Sequence, residues 1–145
     1  MKDSFSTAQC VFCQSEGGTI LWQEPLLRVV RADEAGYAGF CRIILQRHVR
    51  EMTDLAPAER LRVMTVVFAV EHVLRNLMSP DKINLASLGN QTPHLHWHVI
   101  ARFQADRHFP DAVWSAPKRV AKQPAQVSDA ELTQALHTAL QSDER

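Results

Sequence analysis

The apolar positions fall into five short stretches and two longer periodic ones, which together predict a mixed fold. Thr19–Gln23, Leu26–Ala32 and Phe40–Leu45 read as strands, each bounded by Gly, Pro or charged turn residues. From Pro57 to Met78, Val63, Val67, Val70, Leu74 and Leu77 recur at steps of four and three, the stripe of a long amphipathic helix. Pro57 suits the first helical position and Glu59 the third, although Ala56 is a poor cap. Lys82–Leu88 and Leu95–Phe103 read as two more strands joined by the turn Gly89–Pro93. Beyond Trp114, Ser115–Val127 has little periodicity and reads as an extended connector. Ser128-Asp129-Ala130-Glu131 is then a capping-box signature, followed by Leu132, Ala135, Leu136, Ala139 and Leu140 on one helical face. The expected fold class is α+β: an antiparallel sheet of about five strands, one long helix packed on a face, and a C-terminal amphipathic helix.

One of these strands carries the chemistry. His94-Leu95-His96-Trp97-His98-Val99-Ile100 places three histidines at strict alternation. In a strand all three imidazoles leave one face and Leu95, Trp97 and Val99 leave the other, whereas a helix would turn the middle imidazole away from its neighbours. Pro93 pushes Thr92 toward extended geometry, and Trp97, Val99 and Ile100 suit a pleated surface. Same-face positions lie about 6.6–6.8 Å apart along a strand, a spacing suited to imidazoles facing a phosphate chain, or to two of them facing a metal.

Composition narrows the setting. With 145 residues and 46% hydrophobic content the chain suits one domain with a real core. Lys+Arg and Asp+Glu are both 16, so no global field favours nucleic acid or a membrane surface. Met1–Ser6 has no apolar leader core and no run approaches a membrane span, which makes the cytoplasm the expected compartment. There Cys10-Val11-Phe12-Cys13 reads as a metal half-site or redox pair before a disulfide, while Cys41, inside an apolar strand, reads as core.

The histidine strand matches the His-x-His-x-His-x-x signature of the histidine-triad family. Gly39-Phe40-Cys41-Arg42-Ile43-Ile44-Leu45-Gln46-Arg47-His48 resembles the family's upstream strand, and Cys10-x-x-Cys13 resembles its N-terminus. The resemblance runs from about Cys10 to Phe103 and is nearest to bacterial proteins of the diadenosine-polyphosphate hydrolase type. Phe40 stands where the family often has a second histidine, Leu45 where it has proline, and Arg42 at a normally apolar position. The resemblance implies a triad domain over residues 1–114, with 115–145 as connector and C-terminal helix of the same domain. It also implies a homodimer, with a small-molecule nucleotide as substrate and no organic cofactor.

The same resemblance assigns roles. His96 would be the nucleophile at the α-phosphorus of a dinucleoside polyphosphate or nucleoside phosphoramidate, forming a nucleotidyl-histidine. His98 would hydrogen-bond the phosphoryl oxygens or the departing group, and Asn84 would contact the α-phosphate or its leaving group. Gln91 and Thr92 would donate to phosphate, and Asp33 would take the ribose hydroxyls. Cys10, Cys13, His48 and His94 match the ligands of a structural zinc in zinc-bearing members; the competing reading is two buried thiols and a His48–His94 hydrogen bond. Between Arg102 and Trp114, Phe109 and Trp114 either rim the substrate groove or, the favoured reading, pack at a subunit interface. Two rivals stand beside this: a metalloprotein holding a catalytic metal directly on His94, His96 and His98, or a non-catalytic nucleotide-binding or interaction protein.

Overall fold

The computed structural model of the chain describes residues 7–122 and 125–141, so the leader reading of Met1–Ser6 lies outside the described residues. After a short helix α1 (Val11–Gln14) come β1 (Thr19–Gln23), β2 (Leu27–Arg31) and β3 (Phe40–Leu45), then the long α2 (Pro57–Met78), β4 (Lys82–Ala86), β5 (His96–Arg102) and α3 (Asp129–Gln141). The strands form one sheet in the order β1-β2-β3-β5-β4, antiparallel at every pairing. Among the described residues, no helix is long and apolar enough to cross a membrane.

Pleating divides the sheet into two faces with different contents. Leu27, Val29, Cys41, Ile43, Leu45, Leu95, Val99 and Ala101 point to one side and form the main core with Val63, Val66, Val67, Val70, Val73 and Leu74 of α2. The buried stripe of α2 is wider than the sequence spacing suggested, taking in Val66 and Val73. Leu77, assigned to that stripe, is instead 40% exposed, and it is Met78 that packs against the core at the helix end. Glu59 accepts from the Ala56 N–H at 2.9 Å, supplying the cap that alanine cannot. At the other end Ser79 adopts left-handed geometry (φ 48°) and closes the helix onto the Arg75 carbonyl.

The tail helix docks on its own chain, against α2 and β1. Leu132, Leu136 and Leu140 are buried in the core. Ser128 and Glu131 form the expected reciprocal cap. Arg31 pairs with Asp129 at 2.6 Å and fastens the helix start to β2. That leaves the opposite sheet face, with His96, His98, Arg28, Arg42 and Arg102, for α1 and the segment after β5.

Candidate active site on the triad strand

β5 pairs with β3 so that His96 faces Ile44, His98 faces Arg42 and Ile100 faces Phe40. On its other flank Ala86 faces His98 and Asn84 faces Ile100, so Asn84 shares the histidine face. Val99 is buried beneath that face and Trp97 packs against the same core, as alternation requires; β5 runs from His96 to Arg102 rather than Leu95 to Phe103, so His94 and the buried Leu95 lie just ahead of the strand.

Local hydrogen bonding fixes the tautomers. His96 Nδ1 lies 2.6 Å from the His94 carbonyl, which can only accept, so Nδ1 carries the proton and Nε2 carries the lone pair. His94 donates from Nε2 to the Leu45 carbonyl at 2.7 Å, leaving the Nδ1 lone pair to face the cysteines. Burial pushes His96 and His94 below the ordinary imidazole range, the carbonyl bonds offsetting part of it. His98 goes further, down to about 3, through burial first and then the nearby His96 and Arg42. The three rings are therefore neutral near pH 7.

Aromatic side chains close around the imidazoles. Phe12 of α1 meets His96 edge to face at 4.8 Å, and His98 lies 4.8 Å from His96. Trp114 packs at 5.0 Å from His98 and 6.5 Å from Phe40 of its own chain. Trp114 thus stands beside His98 at the rim of the triad while remaining 52% exposed. Phe109 lies under the Arg102 guanidinium at 5.8 Å.

Cys10, Cys13, His48 and His94 converge, with one ligand atom from each within 4.8 Å of all the others. The His94–His48 nitrogens are 3.2 Å apart, and Cys10–His94, Cys13–His48 and Cys13–His94 lie at 3.3, 3.4 and 3.5 Å. A tetrahedron built on Zn–N and Zn–S bonds of about 2.0–2.3 Å has edges of about 3.3–3.8 Å, so the donor set and these four separations fit zinc. Arg28, which sequence reading passed over, secures this corner. It is buried and donates to the Glu16, Phe12 and Ser15 carbonyls and to Gln46. Only its opposition to charge-free surroundings in a strand could have marked it. Burial and the neighbouring Cys10 raise the Cys13 thiol, while Arg28 pulls it down.

The remaining predicted residues disperse. Asn84 Oδ1 accepts from Arg102 Nη1 at 2.7 Å, which orients the amide and turns its N–H group the other way. Thr92 and Asp33 line a groove of about 630 Å³ together with Phe12, Gly17, Gly18, Glu34 and Arg42. Gln91 is exposed and does not line that groove. Cys41 is fully buried on the helix side, where burial pushes its thiol up to about 12, in keeping with a core role.

The HIT domain family matches residues 15–105. The chain belongs to the histidine-triad family. It is 33% identical over 82 residues to a bis(5'-nucleosyl)-tetraphosphatase (asymmetrical) of Schizosaccharomyces pombe, covering 53% of this chain and 45% of that protein. The chain thus spans just under half the length of that relative. A histidine-triad crystal structure from Bradyrhizobium japonicum superposes with TM-score 0.67 at 29% identity, covering 86% and 91% of the two chains. A Zn-bound histidine-triad family protein from Mycobacterium smegmatis shares the fold, with TM-score 0.58, 17% identity and coverage of 96% and 98%.

Proposed function

We propose that this histidine-triad protein is a nucleotide hydrolase or transferase that cleaves an α-phosphate bond of a dinucleoside polyphosphate or nucleoside phosphoramidate. The observation that carries the reading is the bond from His96 Nδ1 to the His94 carbonyl, which sets the Nδ1–H tautomer, so that the imidazole, held neutral by burial, carries its lone pair on Nε2. Nε2 attacks the α-phosphorus, a P–N bond forms, and the bond to the leaving phosphate or amine breaks. Water then attacks the same phosphorus and gives up a proton to solvent, balancing the one the leaving group took up, the P–N bond breaks, nucleoside monophosphate departs and His96 regains its neutral form. His98 hydrogen-bonds the phosphoryl oxygens or leaving group, and Asn84 supplies an amide N–H to the α-phosphate. Gln91 and Thr92 donate to phosphate from the turn entering β5, and Asp33 takes the ribose hydroxyls at the groove.

Cys10, Cys13, His48 and His94 hold a zinc whose part is structural, since four protein ligands leave no open position. The reading includes a homodimer working in the reducing cytoplasm, where free thiols persist. A catalytic metal held by His94, His96 and His98 suits this site less well. His94 Nδ1 turns toward the cysteines and its Nε2 is engaged by Leu45. A panel of dinucleoside polyphosphates, an adenylyl polyphosphate and nucleoside phosphoramidates tests the function. Release of nucleoside monophosphate from any of them is expected, and inertness toward all of them would leave the non-catalytic reading.

A further inference from the structure

Three arginines rise from the triad face of the sheet among the described residues, and two of them are fully employed. Arg28 donates to three carbonyls and the Gln46 amide. Arg102 is locked on Asp106, Asn84 and the Asp111 carbonyl. Arg42 differs. It stands directly across from His98 in the β3–β5 register, at a position where an apolar residue would suit the strand. Its Nη1 donates to the Gly17 carbonyl at 2.9 Å, but its Nε is buried with no hydrogen-bond partner. The nearest carboxylate, Glu34, is 3.7 Å from Nη2 and half exposed, a weak and displaceable counter-ion. A buried donor without an acceptor destabilises a fold, so packing alone does not account for an arginine here. The side chain is held in place by the Phe12 and Phe40 rings, 5.9 and 5.5 Å from its central carbon, and it lines the groove that also holds Thr92 and Asp33.

We propose that Arg42 is a substrate-binding residue of this chain: its guanidinium takes the phosphate of a nucleotide seated in the groove, displacing Glu34. This rests on the nucleotide reading of the site, and adds to it a fixed cation beside neutral imidazoles. A guanidinium presents N–H donors that match phosphate oxygens, so a phosphate takes over Nη2 from the distant Glu34 carboxylate. Glu34 then acts as a stand-in anion that phosphate must expel, and its removal should favour the nucleotide.

The test measures equilibrium binding of AMP and of uncharged adenosine to the full chain by calorimetry, independent of turnover. In Arg42→Gln, AMP affinity should fall about 10- to 100-fold, the range of a lost charge-assisted contact, while adenosine affinity stays within about twofold. In Glu34→Ala, a surface change that the fold tolerates whatever happens to Arg42→Gln, AMP should bind several-fold tighter and adenosine unchanged. Unchanged AMP binding in Arg42→Gln, or AMP and adenosine weakening together, overturns the proposal. Equal or weaker AMP binding in Glu34→Ala overturns it as well. Should the wild type bind AMP through Arg42 yet hydrolyse nothing, the hydrolase reading fails and this one stands.

Discussion

Arg102 and Asp106 form a buried ion pair, Nε to Oδ2 at 2.8 Å with both side chains almost wholly out of solvent. The pair hooks the segment after β5 back onto the triad face. Asp106 also accepts from the Phe103, His108 and Phe109 amides, and Arg102 passes the constraint on to the Asn84 amide. These contacts hold the Asp106 carboxyl far below the usual carboxylate range, despite the opposing cost of burial. The aspartate is thus the pin that fixes one end of Asn84 and seats the loop bearing Trp114.

Asp106→Ala should therefore be strongly destabilising, because it leaves the Arg102 guanidinium buried and unpaired. Breaking one partner of such a pair typically costs about 3–5 kcal/mol, and thermal unfolding should show a drop of roughly 10 °C or more in a chain of this size. Unfolding within a degree or two of wild type would remove Asp106 from this role.

His96→Asn should lower turnover by several orders of magnitude while nucleotide affinity largely persists, the signature of a lost nucleophile. His98→Ala and Asn84→Ala should each cost less, on the order of 10²–10³ in rate, as lost transition-state hydrogen bonds do. Quenched turnover of labelled substrate should leave the label on His96. Label on another residue, or normal turnover in His96→Asn, would sink the assignment.

Most of this arrangement was legible wherever periodicity and chemistry coincide. β1, β3 and α2 begin and end where the pattern placed them, because Gly17-Gly18, Pro25, Gly39, Pro57 and Ser79-Pro80 punctuate the chain. β4 stops at Ala86 rather than Leu88, since the Ser87 hydroxyl turns to the His96 carbonyl at 2.8 Å and the strand leaves the ladder. β2 begins at Leu27 rather than Leu26 and ends at Arg31 rather than Ala32, its ladder partners running only from Leu45 to Cys41. The four-residue Cys/His cluster was readable through resemblance. Trp114 over His98, Arg28 behind the cysteines and Arg42 across from His98 were not, because cross-strand register and loop return are tertiary facts with no local sequence period.

The depressed His98 titration has a consequence for stability. His98 binds its proton only near pH 3 when folded, whereas an unfolded imidazole does so near 6.5. Below pH 6.5 the unfolded chain takes a proton that the native chain refuses, so stability falls with pH through the window from 6.5 toward 3. His98→Gln removes this contribution. Its melting temperature should drop less between pH 7.5 and pH 5 than that of the wild type. An identical drop in both proteins would exclude His98 as a source.

Purified protein should carry about one zinc per chain, and His96→Asn should retain it, since His96 lies outside the Cys10, Cys13, His48 and His94 cluster. Because the site ties α1 to the start of β5, chelation should lower the melting temperature more than it slows the protein that remains folded. A metal-replete preparation lacking stoichiometric metal would instead favour two thiols and a His48–His94 hydrogen bond.

The last prediction separates the tail from assembly. α3 buries Leu132, Leu136 and Leu140 against its own α2 and β1, and Arg31 grips Asp129 at its start. Each buried leucine contributes about 1.5–3 kcal/mol at most. Deleting residues 128–145 should therefore lower stability by several kcal/mol and expose the α2 face it covered. Subunit contacts need not follow, because the exposed apolar side chains Leu85 and Leu88, on and just beyond the edge strand β4, lie elsewhere on the sheet. An open sheet edge bearing apolar side chains calls for covering. Light scattering of the full chain should give twice the 16.4 kDa protomer mass across micromolar concentrations, and the truncated chain should remain a dimer. A full chain at protomer mass would refute the dimer, whereas a monomer appearing only after truncation would show that α3 reaches across to a partner.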